Sequence, residues 1–308
     1  MSPTPLYTIA WQGCSLQIPG GPDGCPWNLT RYQGNSRFGQ IALADLAREQ
    51  IELKWHQVKP RRFEGQVAAL VRHLGRQHGN VSSAPFRQNP SGATAGEMRG
   101  WWIQIPPGRV HPQLHAAVLI QAPPPARRVY ELTGHSRGAV ETAARNLRDH
   151  TADPFWPWEL YGLRGRVPRA LRLQKILLQP GRTQLDFSDR RFYSPGCRGK
   201  VSLGSWSLAD RLLAGRPLPQ WARDAIPLVR QNLKTATEIP TLPPVPDTGA
   251  VQETFRFPTR SGLLRRRRQT ILQLTHEPVS NVIRWLQIAG PPGWTEQVLT
   301  AQTEEFAP

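Results

Sequence analysis

The chain has 308 residues, 39% of them hydrophobic, so it is long enough to bury two ordinary cores without disulfides or metals. Its three cysteines stand at long spacings and no CxxC pair occurs, which argues against a disulfide framework and a zinc cage. An N-terminus without a signal-peptide pattern, and apolar runs too short to cross a bilayer, predict a cytoplasmic protein without membrane insertion.

The first half of the chain alternates strand patterns with two helical patterns. Alternating apolar residues predict strands at 6–9, 14–18, 38–43 and 51–55, and the last two strands are expected to form an antiparallel hairpin. Helical spacing predicts an amphipathic helix over 63–76 with Arg72 and Arg76 outward, and the polar stretch 80–97 is typical of a surface loop. Further strands are predicted at 101–105, 116–121 and 128–132, the last half exposed, before a helix that contains residues 140–147.

The second half begins at the segment 153–158, where two prolines interrupt any helix. Strands are predicted at 172–178, 181–187, 200–206, 269–274 and 282–288. A Ser-x-x-Asp pattern starting at Ser207 predicts a short helix that Gly215 stops, and a helix over 219–233 is expected to kink at Pro227. The proline-rich segment 235–251 is typical of an extended linker or loop.

These patterns predict an α+β protein with two similar-sized halves, residues 1–152 and 153–308. Each half is expected to hold mainly antiparallel sheets and a few packing helices. The order of elements recurs in the two halves, which leads to the hypothesis of a diverged duplication. One local match supports it: Gly39 and Gly181 each stand four residues before a leucine, Leu43 and Leu185.

The charge of the chain is strongly basic and is dominated by arginine. The formal net charge is +17, and only five of the 39 basic residues are lysines. Arginine binds phosphate or carboxylate through two parallel hydrogen bonds, so this composition favours nucleic acid or an acidic protein as the partner. The same preference for arginine is also typical of a GC-rich genome, and both interpretations stay open.

The candidate binding residues are a run of arginines and a pair of tryptophans. Arg265, Arg266, Arg267 and Arg268 alternate in direction if they are extended, so we expect them at an exposed strand start or in a loop, where they contact phosphates or are simply solvated. In the pair Trp101-Trp102 a strand directs one ring inward and the other outward, and the outward ring is a candidate for stacking on bases.

The string Gly134-His135-Ser136-Arg137-Gly138 fits G-x-S-x-G between a predicted strand and a predicted helix. It resembles the nucleophile elbow of the α/β-hydrolase family. That resemblance implies Ser136 as the nucleophile, His276 as the general base, and an acid from Asp186, Asp189, Asp210 or Asp224. The structural alternative is that Ser136 caps the helix beginning at Arg137.

Histidines recur at His73 and His78 and at His111 and His115, but the sequence places no third ligand near either pair, so no metal site is predicted. Motifs for nucleotide or dinucleotide cofactors are also missing, and no cofactor is predicted. The sequence therefore favours a non-enzymatic binding or accessory protein for nucleic acid or an acidic partner. The alternatives are a serine hydrolase that uses Ser136 and a structural subunit of a larger complex.

Overall fold

The computed structural model describes residues 6–20, 27–34, 38–44, 50–57, 63–78, 81–88, 98–105, 116–121, 128–189, 199–232, 237–242, 250–261 and 266–303. The chain divides into two compact units, Met1–Leu160 and Tyr161–Pro308, called unit 1 and unit 2 below. The boundary predicted from the sequence, between residues 152 and 153, lies a few residues earlier. Antiparallel sheets with packing helices dominate both units, in agreement with the predicted class.

The elements of unit 1 are, in chain order, β1 (Leu6–Trp11), β2 (Cys14–Pro19), β3 (Asn28–Gly34), β4 (Phe38–Ala44), β5 (Gln50–Gln57), α1 (Phe63–His78), β6 (Ser82–Gln88), β7 (Met98–Gln104), β8 (Ala116–Gln121), β9 (Arg128–Gly134), α2 (Arg137–Asn146), β10 (Arg148–Asp149) and β11 (Phe155–Leu160). Unit 2 holds β12 (Leu163–Pro168), β13 (Arg172–Gln179), β14 (Arg182–Ser188), β15 (Lys200–Ser207), α3 (Ala209–Leu213), α4 (Leu218–Ala225), α5 (Pro227–Asn232), β16 (Thr237–Leu242), β17 (Val251–Ser261), β18 (Arg266–Glu277), β19 (Val282–Gly290) and α6 (Pro292–Thr303).

Unit 1 is built on a seven-stranded antiparallel sheet in the order β3-β4-β5-β9-β8-β7-β6. Cross-strand neighbours on its inner face are apolar, as in the row Ile41, Leu53 and Leu132, and all three side chains are buried. A smaller sheet contains β10, β2, β1 and β11 in that order, and α2 packs against β2, β8 and β9. The periodic burial of apolar residues therefore determines which face of each strand forms the core.

Helix α1 packs on the outer face of the large sheet of unit 1. Val67 lies against Val129 there, and Leu74 lies against Ile103. The predicted helix over 63–76 is confirmed with slightly wider bounds, and Arg72 and Arg76 are exposed as expected.

Unit 2 has a seven-stranded antiparallel sheet in the order β13-β14-β15-β19-β18-β17-β16. Apolar residues of α3, α4 and α5 cover one face, where Trp221 packs in a cluster with Phe255 and Trp285. Helix α6 packs against β12, β18 and β19. The Gln302 side chain joins α6 to β12, because its Oε1 accepts a hydrogen bond from the Arg166 backbone N–H at 2.8 Å and its amide donates to the Arg166 carbonyl.

Several sequence predictions are corrected by the structure. Ser82–Gln88 forms β6 although the segment 80–97 was predicted as a loop, and Thr237–Leu242 forms β16 inside the predicted linker 235–251. The strand predicted as half exposed, β9, is central and largely buried. Helix α3 follows Leu208, whose φ is 60°, and the first-turn N–H of Asp210 donates to the Asn281 side chain at 2.9 Å, so the Ser-x-x-Asp pattern does not act as a cap. The helix predicted over 219–233 is two helices divided at Pro227.

The turns that follow β1 and β11 share an unusual backbone geometry. Gln12 and Gly13 have φ of 47° and 80°, and Tyr161 and Gly162 have φ of 53° and 70°. Two consecutive positive φ angles define the tight turn whose twist matches that of antiparallel strands, and glycine at the second position has no Cβ that would clash. Each turn thus reverses the chain in two residues.

Candidate functional site

The arginine run begins the long strand β18. Arg265 lies outside the described residues, and β18 starts at Arg266. In the pairing with β17, Arg267 lies directly opposite Arg260 and Arg268 lies opposite Thr259. Arg267 is exposed and Arg268 is half-buried. The predicted position at a strand start is therefore confirmed for Arg266, Arg267 and Arg268, and the predicted exposure is confirmed for Arg267.

Successive arginines of β18 belong to opposite faces of the sheet because strand side chains alternate. Arg267 shares the α6 face with Arg256, whose guanidinium donates two hydrogen bonds of 3.0 Å to the Glu296 carboxylate. The hydrogen bond from Arg256 lowers the pKa of Glu296, against a smaller opposing effect of burial. Arg268 shares the face of Phe257 and Thr270. The run thus supplies charge to two faces at the end of a hairpin.

The two neighbouring tryptophans of β7 project to opposite faces of the sheet in unit 1, as expected for a strand. Trp101 lies on the α1 face, packs against the cluster of Val67 and Val129, and is partly exposed. Trp102 stacks on Phe86 with ring centroids 4.5 Å apart. Both rings keep some exposure, but their surroundings differ, because Trp101 borders a cavity and Trp102 lies against the Phe86 ring.

A groove of about 530 Å³ lies between α1 and the strands β6 and β7. Its lining consists of Val67, Ala68, Val71, Arg72, Ser83 and Trp101. Arg72 and Arg76 stand one helical turn apart on the exposed side of α1. The groove therefore combines a flat aromatic surface, apolar walls and a cation, which are the features that hold a planar ring attached to an anion.

Ser136 caps helix α2, which is the structural alternative to a nucleophile. It is the residue before α2, and its Oγ accepts a hydrogen bond from the Ala139 backbone N–H at 3.3 Å. Its φ of −97° and ψ of 117° are ordinary extended values without backbone strain. The preceding strand β9 runs antiparallel to both neighbours, β5 and β8. The strained turn after a parallel strand that typifies a nucleophile elbow does not occur here.

His276 lies on β18 in unit 2, whereas Ser136 belongs to unit 1. His276 borders a mainly apolar cleft of about 560 Å³ that Asp210, Arg216 and Glu253 also line. The other acids that the resemblance implied have interaction partners of their own. Asp186 accepts a hydrogen bond of 2.6 Å from Ser202, Asp224 lies 3.2 Å from Arg216, and Asp189 also has an interaction partner.

One arginine is part of the core of unit 1 and not of its surface. The Arg128 side chain is 1% exposed, and its guanidinium carbon lies 5.9 Å from the ring centre of Trp55 and 5.4 Å from that of Trp156. Its Nη1 donates a hydrogen bond of 2.8 Å to the Gln12 carbonyl. Arg128 thus contributes to net charge without being available to a partner, which the composition does not reveal.

Two acidic groups near Arg128 are kept protonated by burial. Desolvation raises the pKa of the Cys14 thiol to about 12, and the nearby Arg128 charge offsets this only in part. Desolvation also raises the pKa of Tyr130 well above its ordinary value. The Tyr130 hydroxyl donates a hydrogen bond of 2.9 Å to the Asp149 carboxylate. This hydrogen bond ties the short strand β10 to the core.

The residues after β10 form a hydrogen-bonded chain that no pattern in the sequence predicts. Ser15 Oγ lies 2.9 Å from His150 Nε2, and His150 Nδ1 lies 3.2 Å from Asp153 Oδ2. Ser15 stands on β2, far away in the sequence, and only the pairing of β10 with β2 brings it to the histidine. No local spacing pattern signals such a contact.

The fold and the described sites define a basic, largely antiparallel α+β protein with two units and an aromatic groove in unit 1. No protein-family model matches the chain, and no curated protein has a significant sequence match to it. In the ranges that the structure describes, His, Cys, Asp and Glu side chains form no group of three that could hold a metal ion. Over the same ranges, no helix combines the length and the apolar character needed to cross a membrane.

Proposed function

We propose that the protein is a binding or accessory protein for single-stranded nucleic acid. The observation that carries this proposal is the groove of unit 1, where the partly exposed Trp101 ring lies beside Arg72. A base stacks on the indole, and the guanidinium contacts the adjoining phosphate. Arg76 extends the same cationic side of α1 by one turn, and the net charge of +17 draws a polyanion toward the chain.

The arginines at the start of β18 are proposed as a second contact. Arg267 is exposed at the end of the β17–β18 hairpin, opposite Arg260 in the strand pairing. The exposed Arg267 guanidinium can donate two parallel hydrogen bonds to a phosphate. The contact is with the sugar-phosphate backbone and is therefore independent of sequence.

Fluorescence anisotropy with a labelled single-stranded oligonucleotide tests the proposal. We expect the logarithm of the binding constant to fall linearly with the logarithm of salt concentration, with a slope of about −0.7 for each phosphate neutralised. Trp101→Ala is expected to remove about 1–3 kcal/mol of stacking, which weakens binding roughly 5- to 150-fold. Trp102→Ala is the matched control and should leave affinity unchanged, because its ring stacks on Phe86 on the other face.

Three results would contradict the proposal. The first is the absence of binding at low salt, and the second is an affinity that does not change with salt. The third is an equal loss of affinity in the Trp101 and Trp102 variants. Tight binding of an acidic polypeptide that displaces the oligonucleotide and is unaffected by Trp101→Ala would favour an acidic protein as the partner.

The two alternative functions remain separate proposals. The local geometry gives no support to a serine hydrolase based on Ser136, because the side chain caps α2. A structural subunit of a larger complex would bury the basic surface against an acidic neighbour. Size-exclusion chromatography of native extract distinguishes it, since a subunit elutes in a nuclease-resistant assembly much larger than the 34.6 kDa chain.

We further propose that the chain arose by duplication of one βββ-α-ββββ-α module preceded by a pair of strands. The two seven-stranded sheets have the same order: the third strand of each module lies beside its last strand, and the other strands follow as meanders. The turns Gln12-Gly13 and Tyr161-Gly162 occupy the same place in each copy and share their φ angles. Leu43 and Leu185 lie on corresponding strands, β4 and β14.

An experimental structure tests the duplication. If the strands of one module superpose on those of the other in the same order and direction, the hypothesis is supported. If any connection in one sheet follows a different path, the modules have different topologies and the hypothesis is wrong.

A further inference from the structure

A Ser-His-Asp array in unit 1 points to chemistry separate from the binding groove. We propose that Ser15, His150 and Asp153 form a nucleophilic centre in which the Ser15 hydroxyl attacks carboxylic esters. The array has the two hydrogen bonds that such a centre requires, 2.9 Å between Ser15 Oγ and His150 Nε2 and 3.2 Å between His150 Nδ1 and Asp153 Oδ2. This inference goes beyond the proposed binding function and does not depend on it.

The direction of the two hydrogen bonds follows from the chemistry of the groups. A carboxylate can only accept, so His150 Nδ1 carries the ring proton and donates it to Asp153. In the neutral ring Nε2 is then an acceptor, and the Ser15 hydroxyl donates to it. This is the tautomer that a general base needs in order to take the hydroxyl proton.

Backbone hydrogen bonds hold the three residues in place. Ser15 is on β2, and Arg148 of β10 pairs with it directly. The His150 N–H donates to the Gly13 carbonyl at 2.8 Å, and the Asp153 N–H donates to the His150 carbonyl at 3.0 Å. The base is therefore fixed against the turn that leads into the strand of the nucleophile, and the acid is fixed against the base. Positioning of this kind is what a nucleophilic centre needs before substrate binds.

The array is open to solvent on the face of β2 opposite the core. Ser15 is partly exposed, and the side chains of His150 and Asp153 are 24% and 43% exposed. The neighbouring Cys14 points to the other face and is buried. Arg148 is exposed, and its position directly opposite Ser15 places it on the same face. A cation on this face would stabilise the negative charge that an ester carbonyl oxygen gains.

The reaction is balanced without any group beyond ester and water. Ser15 Oγ forms a bond to the ester carbonyl carbon as its proton moves to His150 Nε2. The bond to the alkoxy group then breaks, and the leaving oxygen takes the proton from His150. Water repeats the sequence on the acyl-serine, releases the acid and restores the Ser15 hydroxyl.

Labelling of the full-length chain by a fluorophosphonate, read by intact mass, tests the centre. Ser15 Oγ forms the bond to phosphorus, the bond to fluorine breaks, and the hydroxyl proton passes to His150. We expect labelling of the wild-type chain and its loss in Ser15→Ala. Ser136→Ala is the matched control and should be labelled at the wild-type rate, because Ser136 caps a helix.

The role of Asp153 is tested by its conservative variant. Asp153→Asn keeps the shape of the side chain but can donate to Nδ1 and favour the wrong tautomer, so labelling should slow at least tenfold and its pH profile should shift. Circular dichroism checks that each variant keeps its secondary structure. An unlabelled wild-type chain, or a label that persists in Ser15→Ala, overturns the proposal. A label lost only in Ser136→Ala overturns it in favour of Ser136.

Discussion

The contact between Gly39 and Trp55 predicts that one added methyl group destabilises unit 1. These residues face each other across β4 and β5, and the Trp55 side chain is only 1% exposed. A Cβ at position 39 would lie 1.8 Å from a ring carbon of Trp55. Ordinary contact begins near 3.4 Å, so the ring must move by more than an ångström within a close-packed core. We therefore expect Gly39→Ala to lower the free energy of unfolding by about 3 kcal/mol.

The same substitution at Gly75 provides the matched control. Gly75 lies in α1, and an added Cβ there would meet no atom within 4 Å. Alanine has the higher helix propensity, so Gly75→Ala should stabilise the protein by about 0.5–1 kcal/mol. The two variants contain the same chemical change. If the change in the free energy of unfolding has opposite signs in them, the loss at position 39 comes from packing.

Urea denaturation measured by far-ultraviolet circular dichroism gives both free energies. A double variant, Gly39→Ala with Trp55→Phe, sharpens the test because the smaller ring leaves space for the methyl group. The double variant should lose less free energy of unfolding than the two single variants lose together. If Gly39→Ala is as stable as the wild type, or if the double variant is strictly additive, the close contact between these residues is not what requires glycine.

Three further predictions concern buried or paired charges. Alkylation of the Cys14 thiol by iodoacetamide should be slow in the folded protein, because the pKa of this thiol is raised from 9.0 to about 12. Between these two pH values the folded form keeps a proton that the unfolded form loses, so the free energy of unfolding should fall as pH rises from 9.0 towards 12. Cys14→Ala should show a weaker fall. Glu296→Gln removes the negative charge that pairs with Arg256 and should lower the thermal midpoint modestly. Because the pKa of Glu296 is lowered in the folded protein, the difference in thermal midpoint between wild type and variant should disappear as pH falls through that pKa. Arg128→Met deletes a charge-assisted hydrogen bond to a buried carbonyl and should cost about 1.5–3 kcal/mol in urea denaturation, whereas Arg137→Met at an exposed ion pair should cost about 0.5 kcal/mol or less. Equal effects of the two methionine variants would contradict the core position of Arg128.

The strands that the sequence analysis missed include edge strands. In the order of the sheets, β3 and β6 are the two edges in unit 1, and β16 is an edge in unit 2. An edge strand pairs on one side only and buries less surface, so its sequence lacks the apolar alternation by which strands are recognised. Pro85 on β6 and Pro240 on β16 also resemble loop residues, yet proline is compatible with an edge because one row of N–H groups has no partner strand.

Helices α1 and α2 and the strands β4 and β5 were predicted because apolar residues recur in them at regular spacing, whereas helix α6 and the inner strand β17 were not predicted. Helix α1 has apolar residues on one face, and β5 alternates strictly between buried and half-buried residues, so local spacing was sufficient. The buried position of Arg128 was missed because an arginine is exposed unless specific partners surround it, and these partners come from distant segments. The Ser15–His150 contact was missed for the same reason.

The pairing of β5 with β9 in unit 1, and of β15 with β19 in unit 2, affects how each unit folds. Ile51 pairs with Gly134, so the middle of the unit 1 sheet closes only after the intervening helix and three strands have been synthesised. In unit 2 the pairing of Lys200 with Ala289 imposes the same delay. Contacts between such distant segments make folding slow and leave the first three strands of each sheet with an unpaired edge on the ribosome. Unit 1 can close its sheet while unit 2 is still being translated, so the nascent chain exposes one unfinished sheet at a time.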